Sequence, residues 1–91
     1  MHKYLTAAEA AKTLEASFAP LRCVAEPWDY GHRMKLRVFD HKDQPVVTLE
    51  EILKQQFSTE SRLTEIITSI RARIEQKGYR LEDWKPPAKS P

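Results

Sequence analysis

The chain has 91 residues, 41% of them hydrophobic and 31% charged, with a net charge of +2 and one cysteine. That length builds one domain with a modest core and excludes two, and so slight a charge lacks the basic bias of most nucleic-acid-binding domains. One cysteine excludes an internal disulfide, no stretch approaches the ~18 apolar residues of a membrane span, and MHKYLTAAEAAKTLEASF lacks the unbroken apolar core of a secretory leader; a cytoplasmic setting away from membranes is therefore expected.

In chain order, Thr6-Ala7-Ala8-Glu9 has the spacing of a capping box, and the apolar stripe Ala7, Ala10, Ala11, Leu14 and Phe18 predicts a helix over 7–18, ended by Pro20. From Leu21 the period changes to two: Leu21, Cys23 and Ala25 alternate with Arg22, Val24 and Glu26, a first strand closed by Pro27. A turn containing Gly31 leads to a second strand over 33–39. Met34, Leu36 and Val38 point one way, while Arg33, Lys35, Arg37 and Phe39 point the other. The turn formers of Asp40-His41-Lys42-Asp43-Gln44-Pro45 join it to the next segment as an antiparallel hairpin.

Residues 46–57 are ambiguous. Val46, Val47, Thr48 and Leu49 favour a strand, yet Thr48-Leu49-Glu50-Glu51 repeats the capping-box spacing. A two-stranded sheet would cover two helices poorly, which favours a third strand over 46–52 and an irregular turn over 54–57. The main helix follows over 58–78. Leu63, Ile66, Ile67, Ile70 and Ile74 form one stripe, with Ser58 or Thr59 as cap and Lys77-Gly78 as stop. The expected fold class is α+β: an α-β-β-β-α two-layer sandwich, its three-stranded antiparallel sheet carrying both helices on one face. Residues 1–78 form the domain. Residues 79–91 read as a partly disordered tail, in which Tyr79 and Leu81 fold back on the core and Trp84 either does so or is presented to a partner.

The Leu14-Glu15-Ala16-Ser17-Phe18-Ala19-Pro20 entry, the Leu36-Arg37-Val38-Phe39-Asp40 strand, the Ile52…Gln56-Phe57 step and the Leu63…Ile66-Ile67…Ile70-Arg71 helix carry a resemblance over about 14–76. They resemble a family of small bacterial proteins, found mainly in pseudomonads and catalogued as a domain of unknown function; at least two such families share this pattern. The resemblance implies a bacterial protein and brings no activity with it. The element order is also similar to that of the double-stranded RNA-binding domain. That family's phosphate-binding lysines at the start of the last helix are replaced here by Ser58-Thr59-Glu60-Ser61-Arg62, where Glu60 opposes a phosphate.

Arg22, Arg33, Lys35 and Arg37 share the outward sheet face with Val24 and Phe39, a surface suited to RNA, single-stranded nucleic acid or an acidic partner. The competing expectation is a solvated face whose cations pair with Glu26, Glu50 or Glu51. Val24, Phe39 and Val46 are the residues expected to meet a symmetry mate in a homodimer. Cys23 is expected to be a buried apolar residue, and Asp40, His41 and Asp43 a solvated turn, because their spacing fits neither a zinc nor a calcium site. No nucleophile, phosphate-loop or metal motif occurs, so no catalytic residue, metal or cofactor is expected. The reading is a non-enzymatic protein-interaction module acting on a protein partner or as a homodimer. The alternative is nucleic-acid binding through Arg22, Arg33, Lys35, Arg37 and Phe39.

Overall fold

The computed structural model describes residues 4–84. Helix α1 (Ala7–Glu15) precedes strands β1 (Arg22–Trp28), β2 (Arg33–Phe39) and β3 (Pro45–Leu53), a single helical turn α2 (Lys54–Phe57) and the long helix α3 (Glu60–Gln76). The strands form an antiparallel meander in the order β1-β2-β3, and the helices cover one face, as the α+β reading expects.

Both long helices begin where their sequences direct, and α3 also stops there. The Thr6 hydroxyl accepts the Glu9 N–H at 3.1 Å, and the Glu9 carboxylate accepts the Thr6 N–H at 2.9 Å, completing the capping box. Thr59 caps α3 by accepting the Arg62 N–H at 3.2 Å. At the other end Gly78 takes φ +95°, which lets its own N–H reach the Glu75 carbonyl and the Tyr79 N–H reach that of Ile74. These are the two bonds of a Schellman stop.

Three boundaries differ from expectation. Helix α1 ends at Glu15 rather than Phe18: the Ser17 hydroxyl turns back to the Thr13 carbonyl, and the Leu21 N–H reaches the Phe18 carbonyl at 2.9 Å to turn the chain. Phe18 still completes the stripe, fully buried outside the helix. Strand β1 runs through Pro27 to Trp28. The Glu15 carboxylate accepts the Ala25 N–H at 3.1 Å, so that N–H points away from β2. Pro27, two residues on, therefore sits where no ladder donor is needed, as an edge strand permits. Residues 54–57 are the helical turn α2 rather than irregular, with the Gln56 carboxamide accepting the Leu53 N–H at 2.9 Å.

The core gathers the inward side chains of every element. Ala10, Leu14 and Phe18 meet Cys23, Ala25, Met34, Leu36 and Val38 of the sheet, while Leu63, Ile67, Ile70 and Ile74 bring the buried stripe of α3; Ile66 is half-buried at its margin. A register shift between the Val38↔Val47 and Phe39↔Pro45 pairs inserts one residue into β3, and both Val46 and Val47 are buried. Val46 is thus withdrawn from the outer face where a homodimer contact was expected.

The break in secondary structure at residue 78 is not a break in packing. Tyr79, Leu81 and Trp84 lie half-buried against the core. The Arg71 guanidinium donates at 2.6 Å to the carbonyls of both Ser17 and Glu82 and lies 6.0 Å from the Trp84 ring centre, while the Glu82 N–H donates to the Ala19 carbonyl at 2.8 Å. Residues 85–91 of the expected tail lie outside the described residues.

Truncating the middle of the α3 stripe removes fully buried volume, so Ile67→Ala is expected to destabilise the domain by about 3 kcal/mol in urea denaturation. A second outcome concerns pH. One Asp40 carboxylate oxygen accepts the Gln44 and Lys42 N–H groups, each at 2.9 Å, and the other accepts the Tyr79 hydroxyl at 3.0 Å. The Gln44 bond above all holds the Asp40 carboxyl below the usual carboxylate range. Its contribution is therefore complete above that range and lost as pH falls through it to the lowered value. Denaturation midpoints measured from about pH 5 to pH 2 should fall less steeply for Tyr79→Phe than for the wild type.

Candidate interaction site

The antiparallel register brings the five outward residues together. Arg22 faces Phe39, Val24 faces Arg37 and Trp28 faces Arg33 across β1 and β2, with Lys35 between Arg33 and Arg37 on the same side. The grouping is as expected, but most of its charge is already used. Arg22 pairs with Asp43 of the β2–β3 turn at 3.2 Å, and its guanidinium covers the Phe39 ring at 4.4 Å. Arg33 pairs with Glu51 at 2.5 Å and with Asp29 at 3.3 Å, and packs 5.2 Å from the Trp28 ring centre. Lys35 lies 5.4 Å from the same ring. Of the acids expected as cross-strand partners, only Glu51 takes that role; Glu26 and Glu50 form no ion pair among the described residues. Arg37 alone of the four cations is exposed with neither an acid nor a ring as partner among the described residues. A nucleobase would find Phe39 already covered by a guanidinium.

The end of the sheet where β1 turns into β2 is different. Asp29, Tyr30 and Gly31 have φ of +56°, +55° and +84° in succession, and the Gly31 N–H donates to the Trp28 carbonyl at 3.2 Å. Positive φ at both central positions is the signature of a type I′ turn, which favours Asn or Asp followed by Gly. Asp29 suits the first position, but a tyrosine holds the second, where a residue with a Cβ is strained. The Tyr30 side chain gains nothing from the fold in exchange, being fully exposed. The turn is nevertheless held in place. The Lys54 N–H donates to the His32 carbonyl at 2.9 Å, Asp29 is gripped by Arg33, and Gly31 sits beside α1, where an added Cβ would stand 3.6 Å from the Ala7 Cβ.

Beside this turn a cleft of about 970 Å³ opens between the start of α1 and α2. Tyr4, Ala7, Tyr30, Leu53 and Phe57 supply its apolar lining, with Lys54 among its polar groups. Tyr4 is 66% exposed, Leu53 39% and, just outside, Trp28 38%; with Tyr30 these are the exposed large hydrophobic side chains among the described residues. All four lie at this end. Sequence reading places a turn around Gly31 but cannot join it to Tyr4, Leu53 and Lys54, which are distant in the chain. The one local signal is a tyrosine in the hairpin position that favours glycine.

Cys23 is buried, and burial, with the nearby Glu15 charge, pushes its thiol up to about 12. It stays protonated at neutral pH and is a packing residue. The Asp40 region is a turn whose carboxylate is spent on two backbone N–H groups and the Tyr79 hydroxyl. Reaction of the native protein with a thiol reagent at neutral pH is expected to be slow, becoming rapid only in denaturant; equal rates in both conditions would contradict the buried assignment. Among the described residues no helix is long and apolar enough to cross a membrane.

A family model described as a protein of unknown function, DUF1652, matches residues 8–74. No curated protein and no solved structure matches the chain.

Proposed function

We propose that this chain, which belongs to the DUF1652 family of proteins of unknown function, is a non-enzymatic protein-interaction module whose contact surface is the cleft and turn at the β1–β2 end of the sheet. The observation that carries this reading is Tyr30. A large aromatic residue in a strained left-handed conformation, wholly in water, contributes little to folding, and backbone strain of this kind is concentrated at sites that bind. Tyr4, Trp28 and Leu53 add apolar surface around it, and aromatic anchors of this type supply much of the energy at protein interfaces. A single cysteine, buried and unable to pair within the chain, favours a reducing, cytoplasmic setting.

Nucleic-acid binding through the outer face has less support. Three of its four cations are engaged with acids or aromatic rings, and Glu60 stands in the first turn of α3.

Replacing Tyr30 separates folding from binding. Tyr30→Gly relieves the strained φ, so it is expected to leave stability unchanged or raise it by up to about 1 kcal/mol. With a photo-cross-linking residue at Leu53, irradiation in cells should give protein adducts that disappear when Tyr30→Gly is added. Adducts that are indifferent to Tyr30, or cross-linking to nucleic acid from position 37, would overturn the assignment.

A further inference from the structure

The stretch after α3 is fastened in the way a bound peptide is fastened. Residues 79–84 form no helix or strand, and among the described residues no hydrogen bond joins one of them to another. Their bonds all run to the domain that precedes them. The Tyr79 hydroxyl donates to Asp40 at 3.0 Å, the Glu82 N–H donates to the Ala19 carbonyl at 2.8 Å, and the Glu82 carbonyl accepts the Arg71 guanidinium at 2.6 Å. Side chains divide accordingly. Tyr79, Leu81 and Trp84 are half-buried against the core, whereas Arg80, Glu82 and Asp83 are exposed. Trp84 borders a recess with Thr68, Ala72 and Glu75 of α3.

The receiving groups are held in place independently of this segment. Arg71 also donates to the Ser17 carbonyl at 2.6 Å, and Asp40 also accepts the Lys42 and Gln44 N–H groups. Ser17, Ala19, Asp40 and Arg71 fall within the residues 8–74 that match the family, while 79–84 lie beyond that match. A preformed main-chain donor and acceptor, with apolar contacts for spaced side chains, are what an extended segment needs in order to dock.

We propose that this surface is a docking groove for an extended segment with aromatic and aliphatic anchors, and that residues 79–84 occupy it in cis as a strap that detaches while the rest of the domain stays folded. The groove is separate from the cleft beside Tyr30 and does not rest on the interaction reading above. Ala19 precedes the start of β1 and Asp40 follows the end of β2, where Arg22 pairs with Phe39; the Tyr30 turn joins the opposite ends of the same strands. A segment with no secondary structure of its own and a few bonds to its neighbours belongs to the part of a fold that opens first. Opening makes the groove available to an external segment of the same chemistry. Such a segment binds only the open fraction, so the closed strap weakens it by that fraction.

Native-state hydrogen exchange on the full chain tests the detachment. The Glu82 N–H is expected to be protected at least about tenfold less than those of Ile67 and Ile70, through an opening that leaves α3 intact. Equal protection of all three would make the segment part of the cooperative core and overturn the strap. Docking is tested with a synthetic peptide of residues 79–84, Tyr-Arg-Leu-Glu-Asp-Trp, blocked at both ends and titrated into the isotope-labelled full chain. The variant Leu81→Ala/Trp84→Ala loosens the strap and leaves the groove unchanged. In that variant the resonances of Ser17, Ala19 and Arg71 are expected to shift with a dissociation constant on the order of 1 mM. Binding to the wild type is expected to be at least about tenfold weaker. No shift in the variant up to about 10 mM peptide, shifts confined to the β1–β2 turn, or equal affinity for variant and wild type would overturn the groove. A variant that is unfolded by circular dichroism would do the same, because a docked strap is dispensable for folding.

Discussion

Four side chains of α3, Leu63, Ile67, Ile70 and Ile74, are withdrawn from water, and three of the four are β-branched isoleucines that lower intrinsic helix propensity. The helix exists because that stripe is covered, and the cover has to come from the sheet and from the α1 side. This requirement explains why the meander needs a third strand. It also explains why Val46 and Val47 are both pulled inward by a bulge, and why Phe18 fills the core after its helix has ended. Arg71 closes the assembly from the polar side of α3, holding the carbonyls that follow α1 and the segment that follows α3 itself.

A sheet with helices on one face leaves two edges and one face to be dealt with. The β1 edge is blunted by Glu15, which takes the outward N–H of Ala25, and by Pro27, which has none to offer. On the β3 side the Lys77 ammonium donates to the Val46 carbonyl. The open face is covered with charge, much of it neutralised within the chain. Guanidinium groups lie over Phe39 and Trp28, so the aromatic residues there are shielded by cations of the same face. Exposed apolar surface is concentrated instead at the β1–β2 end, where a strained tyrosine, other exposed apolar side chains and a lysine without an ion pair among the described residues surround one recess.

The element order, the strand faces and the helix caps are legible in the sequence because they depend on neighbours within a few residues. The Thr6–Glu9 box, the alternation from Arg33 through Phe39 and the Lys77-Gly78 stop each act over one turn or one pleat. Residues 54–57 escape such a reading because a single helical turn has too few positions to show a period, and the Gln56 side chain that starts it bonds a backbone group just outside it. Strand β1 outruns its proline because only the sheet topology makes β1 an edge.

By itself, the sequence determined the fold class, the inward positions of Leu36, Val38 and the isoleucine stripe, and the gathering of Arg22, Arg33, Lys35, Arg37 and Phe39 on one face. Periodicity is enough to place a side chain on a face. Only the tertiary structure decided that this face is largely self-neutralised and that Tyr4, Tyr30, Leu53 and Lys54 converge on a cleft. Such outcomes depend on which residues, distant in the chain, are brought within a few ångströms of each other, and no local pattern encodes that distance.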